Sequence, residues 1–168
     1  MVVTQTPAKN QEKGKLSIPA QIWQEMLGHL QAVYPEEGCG LLGGQGNRVS
    51  KHYPATNIEP ENKQIRYLID PRQQLAAEEE LAASDLELVA IYHSHPKTQA
   101  RPSPTDVRTA YYPDAYYVLV SFADYDHPDL RAYLIAKPDP WGDTGDIIEQ
   151  ELEITCVPAT SFPMKDGG

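Results

Sequence analysis

The residues best suited to chemistry lie in one short stretch. His93-Ser94-His95 is followed by the seven residues 96–102, then by Ser103, and three positions later by Asp106. If the histidines end a strand, its period of two puts both imidazoles on one face, with Cα atoms about 7 Å apart, so that both can reach one metal ion. Zinc binds imidazole nitrogen at about 2.1 Å. A third ligand must come from elsewhere, and Asp106 is well placed, because the loop through Pro96 and Pro102 can fold back. Ser103-Pro104-Thr105-Asp106 also has the form of a helix start, with Ser as N-cap, Pro at the first helical position and an acid two residues on. In a plainer reading Ser103 and Asp106 only cap a helix and the histidines only finish a strand, but capping leaves the paired histidines unexplained.

Two histidines and one carboxylate on zinc leave a fourth position for water, the open coordination of a catalytic site. The metal lowers the pKa of such a water to about 7. Attack on an amide still needs a group that takes the proton and returns it to the leaving amine. A glutamate upstream, in Tyr34-Pro35-Glu36-Glu37-Gly38-Cys39-Gly40, can face the metal, and spacing leaves both Glu36 and Glu37 open.

These side chains need a sheet to hold them. Leu86, Leu88, Val89, Ala90 and Ile91 form a nearly continuous apolar run leading into His93, which predicts a central strand covered on both sides. Upstream, Pro19 at a first helical position and Ile22, Met26, Leu27 and Leu30 at helical spacing predict an amphipathic helix ending before Pro35. Cys39–Leu42 and Val49–Tyr53 read as a hairpin turning through Gly43–Asn47. Tyr67–Ile69 reads as a strand, and Asp70 as the cap of a helix that begins at Pro71 and carries Glu78, Glu79 and Glu80 on its solvated face. A helix over Pro104–Tyr112 and strands over Tyr116–Phe122, Leu130–Ala136 and Ile147–Val157 complete the set. The class is α/β at the border of α+β, with a mixed sheet packed between helices. Residues 15–157 form one domain in this reading, between flexible tails at 1–14 and 158–168.

Composition narrows the functions. The 168 residues are 40% hydrophobic and 23% charged, with a formal net charge of -10, so no basic footprint exists for nucleic acid or an anionic bilayer. Neither the polar N-terminus nor the short run Leu86–Tyr92 resembles a secretion signal or a membrane span. Two distant cysteines, Cys39 and Cys156, suit a reducing compartment, the cytoplasm. Cys39 reads as core packing, and His29, His52 and His127 lack ligand spacing. Tyr111, Tyr112, Tyr116 and Tyr117 read as core, with a substrate groove as the alternative. The closing Gly167-Gly168 resembles a carrier terminus only by coincidence.

The glutamate, His-x-His, seven residues, Ser, two residues and Asp together resemble the signature of the JAMM, or MPN-plus, metallopeptidases of the JAB/MPN fold. The family places its glutamate two residues before a Cys or Met that precedes Gly, and Glu37-Gly38-Cys39-Gly40 matches, which selects Glu37 over Glu36. The likeness in element order runs from about Leu16 to Val157. It implies His93, His95 and Asp106 as ligands of one zinc ion, Glu37 as proton shuttle and Ser103 as hydroxyl donor to the developing oxyanion. Family members cleave after the C-terminal glycine of ubiquitin or ubiquitin-like proteins. No insertion with extra Cys and His residues for a second zinc lies between Asp106 and Tyr116, so the chain looks like the short stand-alone bacterial branch, associated with ubiquitin-like sulfur carriers. The polar segment Asn57–Arg66 could pair with an extended substrate tail as an added strand, or be an ordinary surface loop. The alternatives are a zinc hydrolase of small amides, a non-catalytic MPN scaffold, and the DNA-repair branch of the family. The complete ligand set disfavours the scaffold, and the acidic charge and short N-terminal segment disfavour DNA repair.

Overall fold

A computed structural model describes residues 13–156. Residues 1–12 of the expected N-terminal tail, Val157 and all of the expected C-terminal tail with Gly167-Gly168 lie outside the described residues. Leu16–Pro19 (β1) leads into the helix Ala20–Val33 (α1), followed by Cys39–Gln45 (β2) and Arg48–Ala55 (β3). Then come Pro71–Ala83 (α2), Glu87–His95 (β4), the short helix Pro104–Arg108 (α3), and strands Tyr116–Ser121 (β5), Asp129–Ala136 (β6), Asp146–Gln150 (β7) and Leu152–Thr155 (β8).

The strands form one sheet in the order β7-β6-β5-β4-β2-β3-β1-β8. β4 runs parallel to β5, and β1 parallel to β3 and β8, while the other pairs are antiparallel. β7 and β8 stand at opposite ends of that order although only Glu151 separates them in sequence. The sheet therefore curls until its two ends lie near one another, and the Leu16 N–H extends the β1–β8 pairing by donating to the Glu151 carbonyl at 2.9 Å.

The period of two divides the sheet's side chains between two cores. On one side Ile22, Met26 and Leu30 of α1 pack with Ala90, Tyr92, Val118 and Val120. On the other, Ala77 of α2 and Val107 of α3 pack with Leu41, Ile91 and Tyr117. Fully burying a side chain such as Met26 or Leu30 contributes about 1.5–3 kcal/mol, so α1 is held by its apolar stripe. The mixed sheet does lie between helices, in the α+β manner.

Several elements differ from expectation. β1 was not anticipated, and Pro19 closes it as the N-cap of α1, one residue before the first helical position. The hairpin strands run further than the sequence suggested, through a bulge at Gly43/Gly44, and only Gly46-Asn47 turns. Gly46 has φ +61°, the left-handed conformation that glycine takes at little cost. Tyr67–Ile69 is not a strand; only Ile69 pairs, in an isolated bridge with Asn57. Helix α3 stops at Arg108 and not at Tyr112, because Pro113 disfavours helical geometry at Tyr112 and the Tyr112 N–H turns instead to the Tyr117 hydroxyl. The expected last strand is split at Glu151 into β7 and β8. Gly14, assigned to the flexible tail, is tied down by the Tyr116 hydroxyl, which donates to its carbonyl.

Candidate active site

The site gathers at the C-terminal end of β4. His93 and His95 share the face of Ile91, while Ser94 points the other way and accepts a hydrogen bond from the Gly38 N–H at 2.9 Å. That bond ties the segment bearing Glu37 to the strand bearing the histidines. Gly38 packs closely beneath the end of α1: a Cβ there would stand 2.6 Å from Leu30 Cδ2 and 2.8 Å from Val33 Cγ2, so a larger residue would make those side chains shift.

Helix α3 brings Asp106 in from the far side of the loop. Ser103 Oγ accepts from the Asp106 N–H at 3.1 Å, and Asp106 Oδ2 accepts from the Ser103 N–H at 2.8 Å, a complete capping box. The same Oδ2 lies 3.3 Å from His93 Nε2 and 3.2 Å from His95 Nε2, and the two Nε2 atoms are 3.1 Å apart. One aspartate thus completes the capping box and also faces both imidazoles, in a group of three that could hold a metal ion.

This triangle suits a metal ion. Ligand atoms about 2.1 Å from a tetrahedral centre stand about 3.4 Å from one another, close to the three separations observed. His95 Nδ1 lies 2.8 Å from the Gln99 carbonyl; as donor to that oxygen it leaves the Nε2 lone pair facing the triangle, the orientation a backbone carbonyl imposes on a metal-binding histidine. His93 stacks on Tyr67 with ring centroids 4.3 Å apart, which fixes its ring plane.

The electrostatics are uneven. Burial alone would raise Asp106, but His93, His95 and the Ser103 N–H hold its carboxyl well below the usual carboxylate range. Burial pushes His93 down. His95 is also opposed by burial, yet its contacts with Asp106 and the Gln99 carbonyl leave it raised. Glu37 is only 4% exposed, and burial pushes its carboxyl up to about 8, moderated by His95 and reinforced by Asp106. Its Oε2 is buried without a hydrogen-bond partner among the described residues.

Glu37, His95 and Ser103 open onto one cleft of about 300 Å³, together with Pro35, Gln64, Ile65 and the segment Pro96, Lys97 and Thr98. Each of the five residues singled out from sequence therefore sits at this end of β4. Glu36, the other glutamate left open by spacing, is not among the residues lining the cleft.

Two contributors escaped the sequence reading. Tyr67, expected on a strand, is the ring beneath His93. Asn57 is buried within the segment 57–66, and its side chain donates to the carbonyls of Glu37 and Arg66 and accepts from the N–H groups of Glu59 and Leu68. That segment is a loop with a tight turn at 62–66 and not a strand; its Lys63 carbonyl is taken by the Glu37 N–H at 2.7 Å. The other side chains weighed do other work. Cys39 is core, with burial pushing its thiol up to about 12. His29 bonds the carbonyls of Cys39 and Ala55, His52 meets Tyr92 and Glu25, and His127 meets Asp124. Tyr116 and Tyr117 are core and Tyr112 packs on α2 through Gln74 and Glu78, whereas Tyr111, expected in the core, is exposed beside Trp141; none of the four lines this cleft.

Residues 19–135 match the family described as prokaryotic homologs of the JAB domain. The chain is 37% identical over 137 residues to the CysO-cysteine peptidase of Mycobacterium tuberculosis, covering 80% of this chain and 92% of that protein. It is 38% identical to the probable TtuB-protein conjugate cleaving protease of Thermus thermophilus, over 73% of this chain and 77% of the relative. Its fold is similar to the solution structure of a Desulfitobacterium hafniense protein, with a TM-score of 0.68 and 32% identity over 84% of this chain and 94% of the other.

Proposed function

From the premise that the chain belongs to the prokaryotic JAB family, we propose that it is a zinc-dependent metallopeptidase that hydrolyses the bond after the C-terminal glycine of a ubiquitin-like sulfur carrier, with a free amino acid or a conjugated protein as the leaving part. The observation that carries the reading is the triangle of His93 Nε2, His95 Nε2 and Asp106 Oδ2 beside the buried carboxyl of Glu37. The names of the mycobacterial and Thermus relatives support the substrate class. Free cysteines at Cys39 and Cys156 and the acidic net charge support a cytoplasmic protein with no nucleic-acid partner. No helix among the described residues is long and apolar enough to cross a membrane.

His93, His95 and Asp106 would hold one zinc ion. When bound, it supplies Lewis acidity that polarises the scissile carbonyl and makes a water acidic enough to attack near neutral pH. The remaining work belongs to the chain. Glu37 takes the proton from the attacking water and returns it to the leaving amine, a transfer that is easiest when the group titrates near the working pH. The buried position of Glu37 supplies that tuning, as for other catalytic carboxylates in apolar pockets. Ser103 accepts the Asp106 N–H with an oxygen lone pair, so its O–H remains available to the cleft as a donor to the tetrahedral oxyanion. The Gln99 carbonyl and the Ser103 N–H hold His95 and Asp106 in place.

The test is intact-mass spectrometry of a ubiquitin-like sulfur carrier extended by one C-terminal cysteine, incubated with the zinc-loaded protein and with its Glu37→Gln variant. The expected result is loss of one cysteine residue with the wild type and a rate about two to four decades lower with the variant, at unchanged zinc content. Intact carrier after incubation with fully zinc-loaded wild type would overturn the reading.

A further inference from the structure

The cleft holds one cation outside the machinery described above. Lys97 lies two residues beyond His95, at the bend where the chain curls back to present the Gln99 carbonyl to His95 Nδ1, and it lines the cleft with Glu37, His95 and Ser103. It is exposed, and its ammonium has neither an ion-pair nor a hydrogen-bond partner among the described residues. Glu37 and His95 line the cleft with it, and His93 and Asp106 lie behind them. In a chain of net charge -10, this exposed ammonium is the group of the cleft lining suited to meet an anionic part of a substrate.

The two flanks of β4 are different. The loop 57–68, with Gln64 and Ile65, docks on the β2 side through the Glu37 N–H and the Lys63 carbonyl. The loop 96–101 docks on the β5 side, where the Ser121 hydroxyl donates to the Thr98 carbonyl and the Tyr133 hydroxyl to the Ala100 carbonyl. The histidines lie between. A substrate crossing them has its glycine tail toward one flank and its leaving group toward the other.

We propose that Lys97 binds the α-carboxylate of the leaving residue, and so favours release of a single C-terminal amino acid over cleavage of an isopeptide. This rests on the function proposed above. When the leaving part is one amino acid, its carboxyl carbon is two bonds, about 2.5 Å, from the scissile nitrogen, so the anion lies within a few ångströms of the reacting carbonyl. Lys97 lines the same cleft as His95 and Ser103, and its compact charge needs no planar fork to engage a carboxylate. When the leaving amine is the side chain of a lysine in a target protein, the nitrogen is followed by methylenes and no anion reaches Lys97. A single cation thus sorts two leaving groups that the hydrolytic machinery itself does not distinguish.

The experiment compares three substrates built on one ubiquitin-like carrier: the carrier extended by cysteine with a free carboxylate, the same adduct as its C-terminal carboxamide, and the carrier joined through its terminal glycine to a lysine side chain of a peptide. The acid-to-amide ratio of kcat/KM is measured for zinc-loaded wild type, Lys97→Met, Lys97→Arg and Lys97→Glu. In parallel, calorimetry gives the Kd of acid and amide for Glu37→Gln and for Glu37→Gln/Lys97→Met. The expected ratio is about 10 in the wild type, the range for a partly exposed charge-assisted contact. It falls to near 1 in Lys97→Met, is kept in Lys97→Arg and drops below 1 in Lys97→Glu, and the Kd ratios follow the same order. Cleavage of acid and amide at equal rates by the wild type, or a ratio unchanged in Lys97→Met, overturns the assignment while leaving the proposed function intact. No cleavage of any of the three substrates overturns the proposed function, and the role of Lys97 falls with it.

Discussion

The side-chain amide of Asn57 donates to the main-chain carbonyl of Glu37 at 2.9 Å, so the proposed proton shuttle is fixed through its backbone by a residue 20 positions away. Asn57 uses its full capacity, two donors and two acceptor positions, to bind together Glu37, Glu59, Arg66 and Leu68. Asn57→Ala would leave four backbone groups to find new partners, at about 1 kcal/mol per lost bond and more where burial excludes water. A stability loss of about 2–4 kcal/mol by urea denaturation is expected, with kcat/KM lower at unchanged zinc content. Asn57→Asp keeps the acceptors but cannot donate to Glu37, and its rate should lie between wild type and alanine. Wild-type activity in Asn57→Ala would show that Glu37 does not depend on this bond.

Asp106 serves two structures at once, and its substitutions should separate them. Asp106→Asn keeps a side-chain acceptor for the Ser103 N–H but brings a neutral amide to the imidazoles. Zinc content by atomic emission should therefore fall in Asp106→Asn, and the metal-free protein should lose the attraction between the carboxylate and the imidazoles while keeping that side of the capping box. Asp106→Ala should lose zinc and also about 1 kcal/mol of capping. His95→Ala should lose zinc with the capping box untouched, and full zinc occupancy in that variant would remove His95 from the ligand set.

Ser103 provides the complementary case. Ser103→Ala removes the acceptor for the Asp106 N–H and the donor proposed for the oxyanion. Zinc binding should persist, kcat should fall about 10²–10³-fold, and metal-free stability should fall by about 1 kcal/mol. Ser103→Thr restores the cap, so stability recovered without rate, or with it, separates capping from catalysis.

The parts of this site that could be read from sequence are those set by local geometry. The period of two put His93 and His95 on one face, and Ser103-Pro104-Thr105-Asp106 announced its own capping box, because both depend on neighbours at most three residues away. Glu37 needed the family resemblance to be chosen over Glu36, since spacing alone does not say which of two adjacent carboxylates turns inward. Asn57 and Tyr67 were invisible in their roles, for their partners Glu37 and His93 are 20 and 26 positions away and nothing in the intervening residues marks the contact. The same holds for the fold. β1 is four residues long, ends in proline and draws its order from β8, which starts 136 positions later in the register Leu16↔Leu152. The split at Glu151 was hidden because Glu149, Glu151 and Glu153 keep the outward alternation of one continuous strand while the chain passes from one end of the curled sheet to the other.

The burial of Glu37 predicts how metal-free stability varies with pH. Its carboxyl titrates near 4.5 in an unfolded chain and is pushed up to about 8 in the fold, so the folded state favours the protonated form. Its contribution is fully present below pH 4.5 and is lost as the pH rises toward 8, because above that window folding must bury an anion that water would otherwise solvate. At 1.36 kcal/mol per unit of displacement, the loss is on the order of a few kcal/mol. Glu37→Gln keeps the shape without the charge and should escape it. In the presence of a chelator, the variant's stability relative to wild type, read from urea midpoints at pH 4.5, 6, 7 and 8.5, should climb through that window and level off above it. Zinc restored to the wild type should shrink the difference, since a dication beside the carboxylate favours the ionised form. A difference between the two proteins that stays constant from pH 4.5 to 8.5 would mean that Glu37 is solvated in the metal-free fold, and its tuning for proton transfer would then have to come from the metal alone.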